Sequence, residues 1–455
     1  MLLRIRNNYH SYKKAKPCSE IHQVTIYKNV LIFSVYVKHS GITEKETPHC
    51  LPWGFLFTLG LLYLQPMKKA LLYCLLCLPL IIAAQDTTKA IMIQTSGKLP
   101  FLKYGLGQDR LGGAKMTYLD TAIVMRVVDS VNTDYKVQLS ENHFAYIAKS
   151  NTQWLPCKVP ASYHLTSGWR VYGDEQFDYV TIGLNERLPY RSIQQIGPSR
   201  IVVDIFGATS NTNWISQFRS VKEIKNAWYE QTDDDVIRVF IELKHAQHWG
   251  YHIGYDSTGQ KLVIRVKRQP ERLKIRKLKI AVDAGHGGTN IGATGVTSNI
   301  MEKAYTLKIS QALNKLLKRK RVETFMTREK DTTLSMIERV EMLQNENPQL
   351  LISIHLNSSG NMAVKGASTY YHYIGFRSLS QAILKRMLEL PLAEAGNVGG
   401  FNFALNGPTD YPNCLVEVAF LSNAEDEKRI LDPCFHNAVA KKIYKGVKDW
   451  LKEIN

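Results

Sequence analysis

KIAVDAGHGG, residues 279–288, reads as a short buried strand running into a glycine-rich turn that carries a histidine. Gly285, Gly287 and Gly288 permit a tight turn and close approach of other groups to the backbone. In an open α/β sheet, ligands bind beyond the carboxyl ends of the strands. His286 stands where that rule places a functional group. The pattern downstream keeps alternating. Residues 301–317 predict an amphipathic helix with Tyr305, Ile309, Ala312, Leu313 and Leu316 on one face. Residues 322–327 predict a strand, 334–344 a helix, 350–354 a strand and 367–373 a strand. Residues 378–390 predict a helix, 414–420 a strand and 435–450 a closing helix. Strands alternating with helices predict an α/β domain over 278–455, a mixed sheet flanked by helices.

A second histidine, His355, ends the apolar run LLISIH. Imidazoles at two strand ends can share a metal, and catalytic zinc sites often use two His and one Glu with an open position. Glu302, which opens the helix in SNIMEKAY, is the natural third ligand. Asn299-x-x-Glu302 also fits a capping box, in which Glu302 would bond back to the cap amide. Glu417 lies within CLVEVAF, an otherwise apolar strand. A buried carboxylate without compensation is costly or becomes protonated, so a nearby cation or catalytic water would account for it. A glutamate at a strand end facing solvent is the competing reading. Spacing alone leaves these alternatives open.

Upstream, the period is that of β structure. Residues 99–156 carry short strand-like runs, AIVMRVV and YKVQL among them, and predict a small β-barrel. Residues 177–268 carry YVTIGL, RIVVDI, VIRVFIEL and KLVIRV between turn signals, and predict a β-sandwich. The Lys- and Arg-rich stretch 267–277, with Pro270, reads as a solvated, mobile segment, with 269–277 as the linker between the modules. The expected architecture is multidomain: a small β-barrel and a β-sandwich followed by the α/β catalytic domain.

Before these modules, Met67-Lys68-Lys69 precedes an uncharged apolar run from Ala70 to Ala84. A basic start, an apolar stretch and small terminal residues define a secretory signal peptide, expected over 67–84. Residues 1–66 then read as an upstream extension that is not translated. The competing reading is a membrane hairpin formed by 51–64 and 70–84. Either way the remainder is exported, to the periplasm or cell envelope.

Three blocks of this sequence resemble known families. YKVQLSENHFAYIAKSNTQWLP resembles bacterial SH3-like domains. The strand spacing over 177–268 resembles the AMIN domain, a localisation module found ahead of cell-wall amidases. KIAVDAGHGG, EKAYTLKISQALNKLL, TREKDTTLSMIERV, LLISIHLNS and NCLVEVAFLSN, in this order over 278–453, resemble zinc-dependent N-acetylmuramoyl-L-alanine amidases of the amidase-3 family. That resemblance implies that His286, Glu302 and His355 bind Zn2+ and that Glu417 is the catalytic carboxylate. It implies cleavage of the amide between N-acetylmuramic acid and L-alanine in peptidoglycan. Zinc would acidify a water and polarise the carbonyl, and Glu417 would take the water's proton and pass it to the leaving amine. Ser353 and Asn357 flank His355 and are candidates to orient it or the substrate.

The chain departs from the family pattern in three places. Asn290 stands where Asp is usual, a change expected to alter a loop and not the metal site. Leu356 stands where Ala is common. Asn406-Gly407-Pro408 stands where an Arg is often found, a change expected to alter the substrate contacts there. The short interval between His355 and Glu417 leaves little room for the inserted inhibitory helix of some relatives.

Composition agrees with an exported envelope protein. The chain has 455 residues and a formal charge of +18. With residues 1–66, Lys68 and Lys69 set aside, the remainder carries +11. Such a balance favours anionic partners. On an exported chain these are peptidoglycan and, through the β modules, other anionic envelope polymers or envelope proteins. No nucleic-acid recognition motif accompanies the charge, so nucleic acid is not an expected partner. Three cysteines, Cys157, Cys414 and Cys434, follow residue 84, so at least one lacks a partner within the exported chain. Cys74-x-x-Cys77 lies within an apolar run, which argues against a redox or metal role. A different zinc hydrolase, such as an exported carboxypeptidase, and a non-catalytic envelope-binding protein remain the rival readings.

Overall fold

The computed structural model describes residues 24–27, 30–33, 91–107, 112–156 and 163–455. The chain divides into two compact units, Met1–Gln85 and Asp86–Asn455. In the first, Val24–Tyr27 and Val30–Phe33 pair as an antiparallel hairpin. The expected signal peptide at 67–84 and the rest of the upstream extension lie outside the described residues. Among the described residues, no helix is long and apolar enough to cross a membrane.

The second unit begins with three β sheets. The first has seven strands and includes Ile91–Thr95, ahead of the expected start at residue 99. The other two occupy 164–267. One is built on His164–Gly173, Phe177–Leu184, Lys261–Lys267 and Tyr251–Tyr255. The other has four strands, Tyr190–Ile196, Ser199–Phe206, Val236–Leu243 and Ile224–Asp233. In Val236–Leu243, Val239, Ile241 and Leu243 are buried while the intervening residues are half-buried, the period of two that a one-sided strand requires. Buried side chains from all three sheets merge into one apolar core.

The stretch expected to be a mobile linker is instead anchored where it begins. Arg268 Nε donates to the fully buried Asp178 carboxylate at 2.8 Å, and Lys267 Nζ donates to the Pro348 carbonyl at 2.8 Å. Further on, Ile275 is buried. Basic composition alone conceals such anchoring, because long cationic side chains pack their stems while their heads find partners.

The α/β domain follows. Its strands are β1 (Lys279–Ala284), β2 (Glu323–Met326), β3 (Leu350–Asn357), β4 (Ala367–Tyr370), β5 (Glu394–Val398) and β6 (Asn413–Phe420). Its helices are α1 (Glu302–Arg319), α2 (Met336–Glu346), α3 (Arg377–Met387), α4 (Ala424–Leu431) and α5 (Pro433–Glu453). The sheet order is β2-β1-β3-β6-β4-β5, parallel except between β4 and β6. This is the mixed, helix-flanked sheet expected from the sequence.

Local chemistry sets the helix ends. Ser335 caps α2 in a full capping box with Glu338. Asp432 caps α5, with Pro433 just inside. On α1, Ile309, Leu313, Leu316 and Leu317 are buried at the spacing of one helix face. Each such side chain contributes roughly 1.5–3 kcal/mol. Strand β5 and helix α4 are additions to the expected element order. β5, EAGNV, has no buried residue and so no apolar alternation to read.

Candidate metal centre

Strands β1 and β3 are parallel neighbours, with Ala284 level with Ile354. Their carboxyl ends therefore deliver His286 and His355 side by side. The ring centroids are 4.9 Å apart. His286 adopts a left-handed backbone, φ +61°. The next strand, β6, places Glu417 level with His355, and Glu417 is 6% exposed.

Glu302 is the first residue of α1, and its carboxylate bridges both rings. Oε2 lies 3.1 Å from His286 Nε2, and Oε1 lies 3.1 Å from His355 Nδ1. The backbone N–H groups of Ala293 and Leu356 also donate to it, at 2.8 and 2.9 Å. The capping alternative is corrected here. The helix cap is Met301, it makes no side-chain cap bond, and Glu302 is committed to the histidines.

One ligand atom from each of His286, Glu302 and His355 lies within 4.8 Å of the others. Two imidazoles and a carboxylate form a donor set that suits zinc. The surrounding backbone is shaped for it. A Cβ on Gly285 would meet the His355 ring at 2.4 Å, and one on Gly292 would meet Glu302 Oε2 at 2.4 Å. The three residues fit a metal of that class.

The electrostatics follow from this packing. Burial alone would raise the Glu302 carboxyl, but hydrogen bonds to His286 and His355 hold it well below the usual carboxylate range. Burial alone would lower His355. The bond and charge of Glu302, with Glu417 nearby, outweigh burial and carry it up to about 8.

Beneath the site lies a buried polar network. The Arg339 and Asp283 side chains are each 1% exposed and meet at 2.5 Å. Thr327 Oγ1 and Ser353 Oγ donate to the same carboxylate at 2.7 and 2.6 Å. Arg339 also donates to the His286 carbonyl at 2.5 Å, and Arg328 to the Gly285 carbonyl at 2.8 Å. Ser353, buried, thus supports Asp283. Asn357 donates to the Tyr370 hydroxyl at 3.3 Å, on the wall of the site.

The sequence reading missed the roles of Asp283, Arg328 and Arg339, although DAGHGG and TREKDTTLSMIERV contain them. Charged residues inside otherwise ordered motifs were the available signal. Asn290 also requires correction: its Oδ1 lies 2.8 Å from His286 Nδ1. The position touches a site histidine instead of merely shaping a loop. Phe403 stacks on His355, with centroids 6.4 Å apart and planes within 9°.

Residues 280–449 match the family model described as N-acetylmuramoyl-L-alanine amidase, and residues 169–266 match the AMIN domain. The chain belongs to the amidase-3 family. Its AMIN match takes in His164–Gly173 from Trp169 onward, a strand lying ahead of the boundary expected at residue 177. Among curated relatives, this amidase-3 chain is similar to the N-acetylmuramoyl-L-alanine amidase AmiC of Escherichia coli O6:H1. Identity is 25% over 371 residues, covering 62% of this chain and 89% of the relative. It is also similar to the germination-specific N-acetylmuramoyl-L-alanine amidase of Bacillus subtilis, at 29% identity over 41% of this chain and 84% of the relative. Among solved structures, it resembles the catalytic domain of CwlV from Bacillus (Paenibacillus) polymyxa var. colistinus. That match has 32% identity and a TM-score of 0.37, and covers 39% of this chain and 99% of that domain.

At the departure Asn406-Gly407-Pro408, Asn406 is buried and donates to Asn413 Oδ1 at 2.9 Å, a structural role. Between His355 and Glu417 the amidase-3 domain holds one α-helix, α3. It packs so closely on α5 that a Cβ on Gly446 would meet Ile383 Cα at 2.6 Å.

Proposed function

We propose that the chain is an exported, zinc-dependent N-acetylmuramoyl-L-alanine amidase that hydrolyses the amide between N-acetylmuramic acid and L-alanine in peptidoglycan. The observation that carries this reading is the Glu302 carboxylate bridging His286 and His355, with Glu417 level with His355 on the adjacent strand. The amidase family match over the same residues supports it.

His286, Glu302 and His355 would hold the metal. Zinc bound there would polarise the scissile carbonyl and acidify water. Glu417 accepts the proton of the attacking water as its oxygen bonds to the carbonyl carbon. It then delivers that proton to the L-alanine nitrogen as the C–N bond breaks. Asp283 and Arg339 keep the strand ends and the His286 backbone in place. Phe403, stacked on His355, supplies an apolar wall that excludes water and strengthens the electrostatics within. The AMIN-matching module and the preceding β module would hold the enzyme on peptidoglycan or on neighbouring envelope polymers in the periplasm or cell envelope.

The test is digestion of purified peptidoglycan by the protein, with and without a chelator, followed by mass analysis. Free stem peptides beginning at L-alanine, lost on chelation, are the expected products. Cleavage within the peptide would establish the carboxypeptidase reading instead. Binding without cleavage would establish the non-catalytic one.

A further inference from the structure

The first β module reaches across to the catalytic domain beside the metal centre. Lys115 N–H donates to Asn402 Oδ1 at 3.2 Å, and Asn402 Nδ2 donates to the Gly113 carbonyl at 3.0 Å. The Tyr118 hydroxyl donates to the Ala404 carbonyl at 3.3 Å. The segment it holds, 402–404, includes Phe403, which stacks on His355. Between the module and α2 lies a cavity of about 320 Å³. Its walls are apolar at Leu99, Phe101 and Met336, and polar at Asn151 and Asn402.

Three lysines line this cavity, and two are neutralised. Lys98 pairs with Glu341 at 2.9 Å, and Lys103 with Asp134 at 2.5 Å. Lys115 differs. It is 8% exposed, and among the described residues no carboxylate pairs with it. Its Nζ donates to the Tyr118 hydroxyl at 2.8 Å and lies over the Tyr118 and Phe101 rings, 4.4 and 5.0 Å from their centroids. An ammonium has three protons to donate, and one is used. Burying such a charge without a counter-ion is costly. Burial pushes Lys115 down to about 8. The loop opposite makes room for it: a Cβ on Gly407 would stand 3.2 Å from Lys115 Nζ and 2.9 Å from the Tyr118 ring. Asn406-Gly407-Pro408 carries no cation of its own, and Lys115 brings one to it.

We propose that this cleft is a carboxylate-binding subsite centred on Lys115, which holds a free carboxylate of the peptidoglycan stem peptide during hydrolysis. It rests on the amidase reading. The stem peptide departs from the scissile amide on its amine side, and its anionic groups are carboxylates. Asn402 and Ala404 line the cleft, and Phe403 between them stacks on His355 of the metal centre where that amide would lie. The apolar walls suit the methyl groups of alanine residues, and the Asn151 amide suits a peptide group. The β module thereby completes the substrate cleft in addition to any role in holding the enzyme on the wall.

The test is equilibrium binding to the full chain of a stem tetrapeptide with free carboxylates and of the same peptide fully amidated. The wild type is expected to prefer the free acid by about tenfold, and Lys115→Met to reduce that preference to within twofold. Lys115→Arg should retain most of it. Lys115→Gln, which keeps a donor without the charge, should behave as the Met variant and covers the case in which Met does not fold. Equal binding of the two peptides by the wild type, or a preference that survives in the Met and Gln variants, overturns the subsite. Displacement of the peptide by acetate at equal concentration overturns the stem peptide as the source of the carboxylate. These readouts do not depend on turnover. Failure of the subsite is therefore distinct from failure of the amidase reading, which peptidoglycan digestion reports.

Discussion

The Arg339 guanidinium donates at 2.5 Å to the Asp283 carboxylate, both side chains 1% exposed, directly beneath the strand ends that carry the two site histidines. Removing one partner of a buried pair leaves the other charge uncompensated, at about 3–5 kcal/mol. Arg339→Met should therefore lower stability by that amount in denaturant unfolding of the domain. It should also weaken metal binding, because Arg339 donates to the His286 carbonyl. An unchanged unfolding midpoint would show that the pair is not a structural support.

Asn290 orients His286 through the 2.8 Å contact at Nδ1. Loss of such a partner typically costs 10–100-fold in metal affinity. Asn290→Ala should show a loss in that range in zinc competition titrations, and Asn290→Asp should retain near-wild-type affinity. Equal affinity of the Ala variant and the wild type would contradict the role.

Glu417→Gln removes the proton acceptor while keeping the shape of the side chain. Rate on peptidoglycan should fall by about 10²–10⁴-fold, the span of general acid–base catalysis, with zinc stoichiometry unchanged. Full activity with zinc bound would transfer the role to another group.

Lys267 gives the pH dependence. Burial lowers it from 10.5 to about 7, with Asp410 opposing. For a base with a depressed folded-state value, the unfolded chain binds more protons between those two values, so stability rises with pH across that window. Lys267→Met lacks this contribution. The variant should be more stable than wild type near pH 7, and the difference should shrink at pH 9. A difference that is constant with pH would show that Lys267 is not held in its neutral form.

The free thiols follow their surroundings. Cys414 is buried, and burial pushes its thiol well above the usual range, whereas Cys434 is exposed. A thiol reagent should label Cys434 readily in the folded protein and Cys414 only on unfolding, as read by mass spectrometry.

The sequence by itself determined the α/β alternation, the strand ends at His286 and His355, and the membership of the amidase family. These are local patterns. An apolar run of six residues, a glycine turn and a helical stripe are each written within a few neighbouring positions. Glu417 was legible as an anomaly, a carboxylate inside an apolar strand.

Tertiary structure alone decided what those residues do to one another. Glu302 could cap a helix or bridge two histidines, and only the packing of α1 against β1 and β3 selects the second. The same holds for Asn290, read as a loop residue until its amide is seen against His286. Lys267 and Arg268 read as solvated because charge predicts exposure, yet Pro348 and Asp178 hold them. Lys115 lies nearly 300 positions from Asn402 and Ala404, and nothing local in either segment foretells their meeting. Hydrogen bonds and charges act over a few ångströms of space and are indifferent to distance along the chain. The chemistry was therefore visible in the residues, and its partners only in the fold.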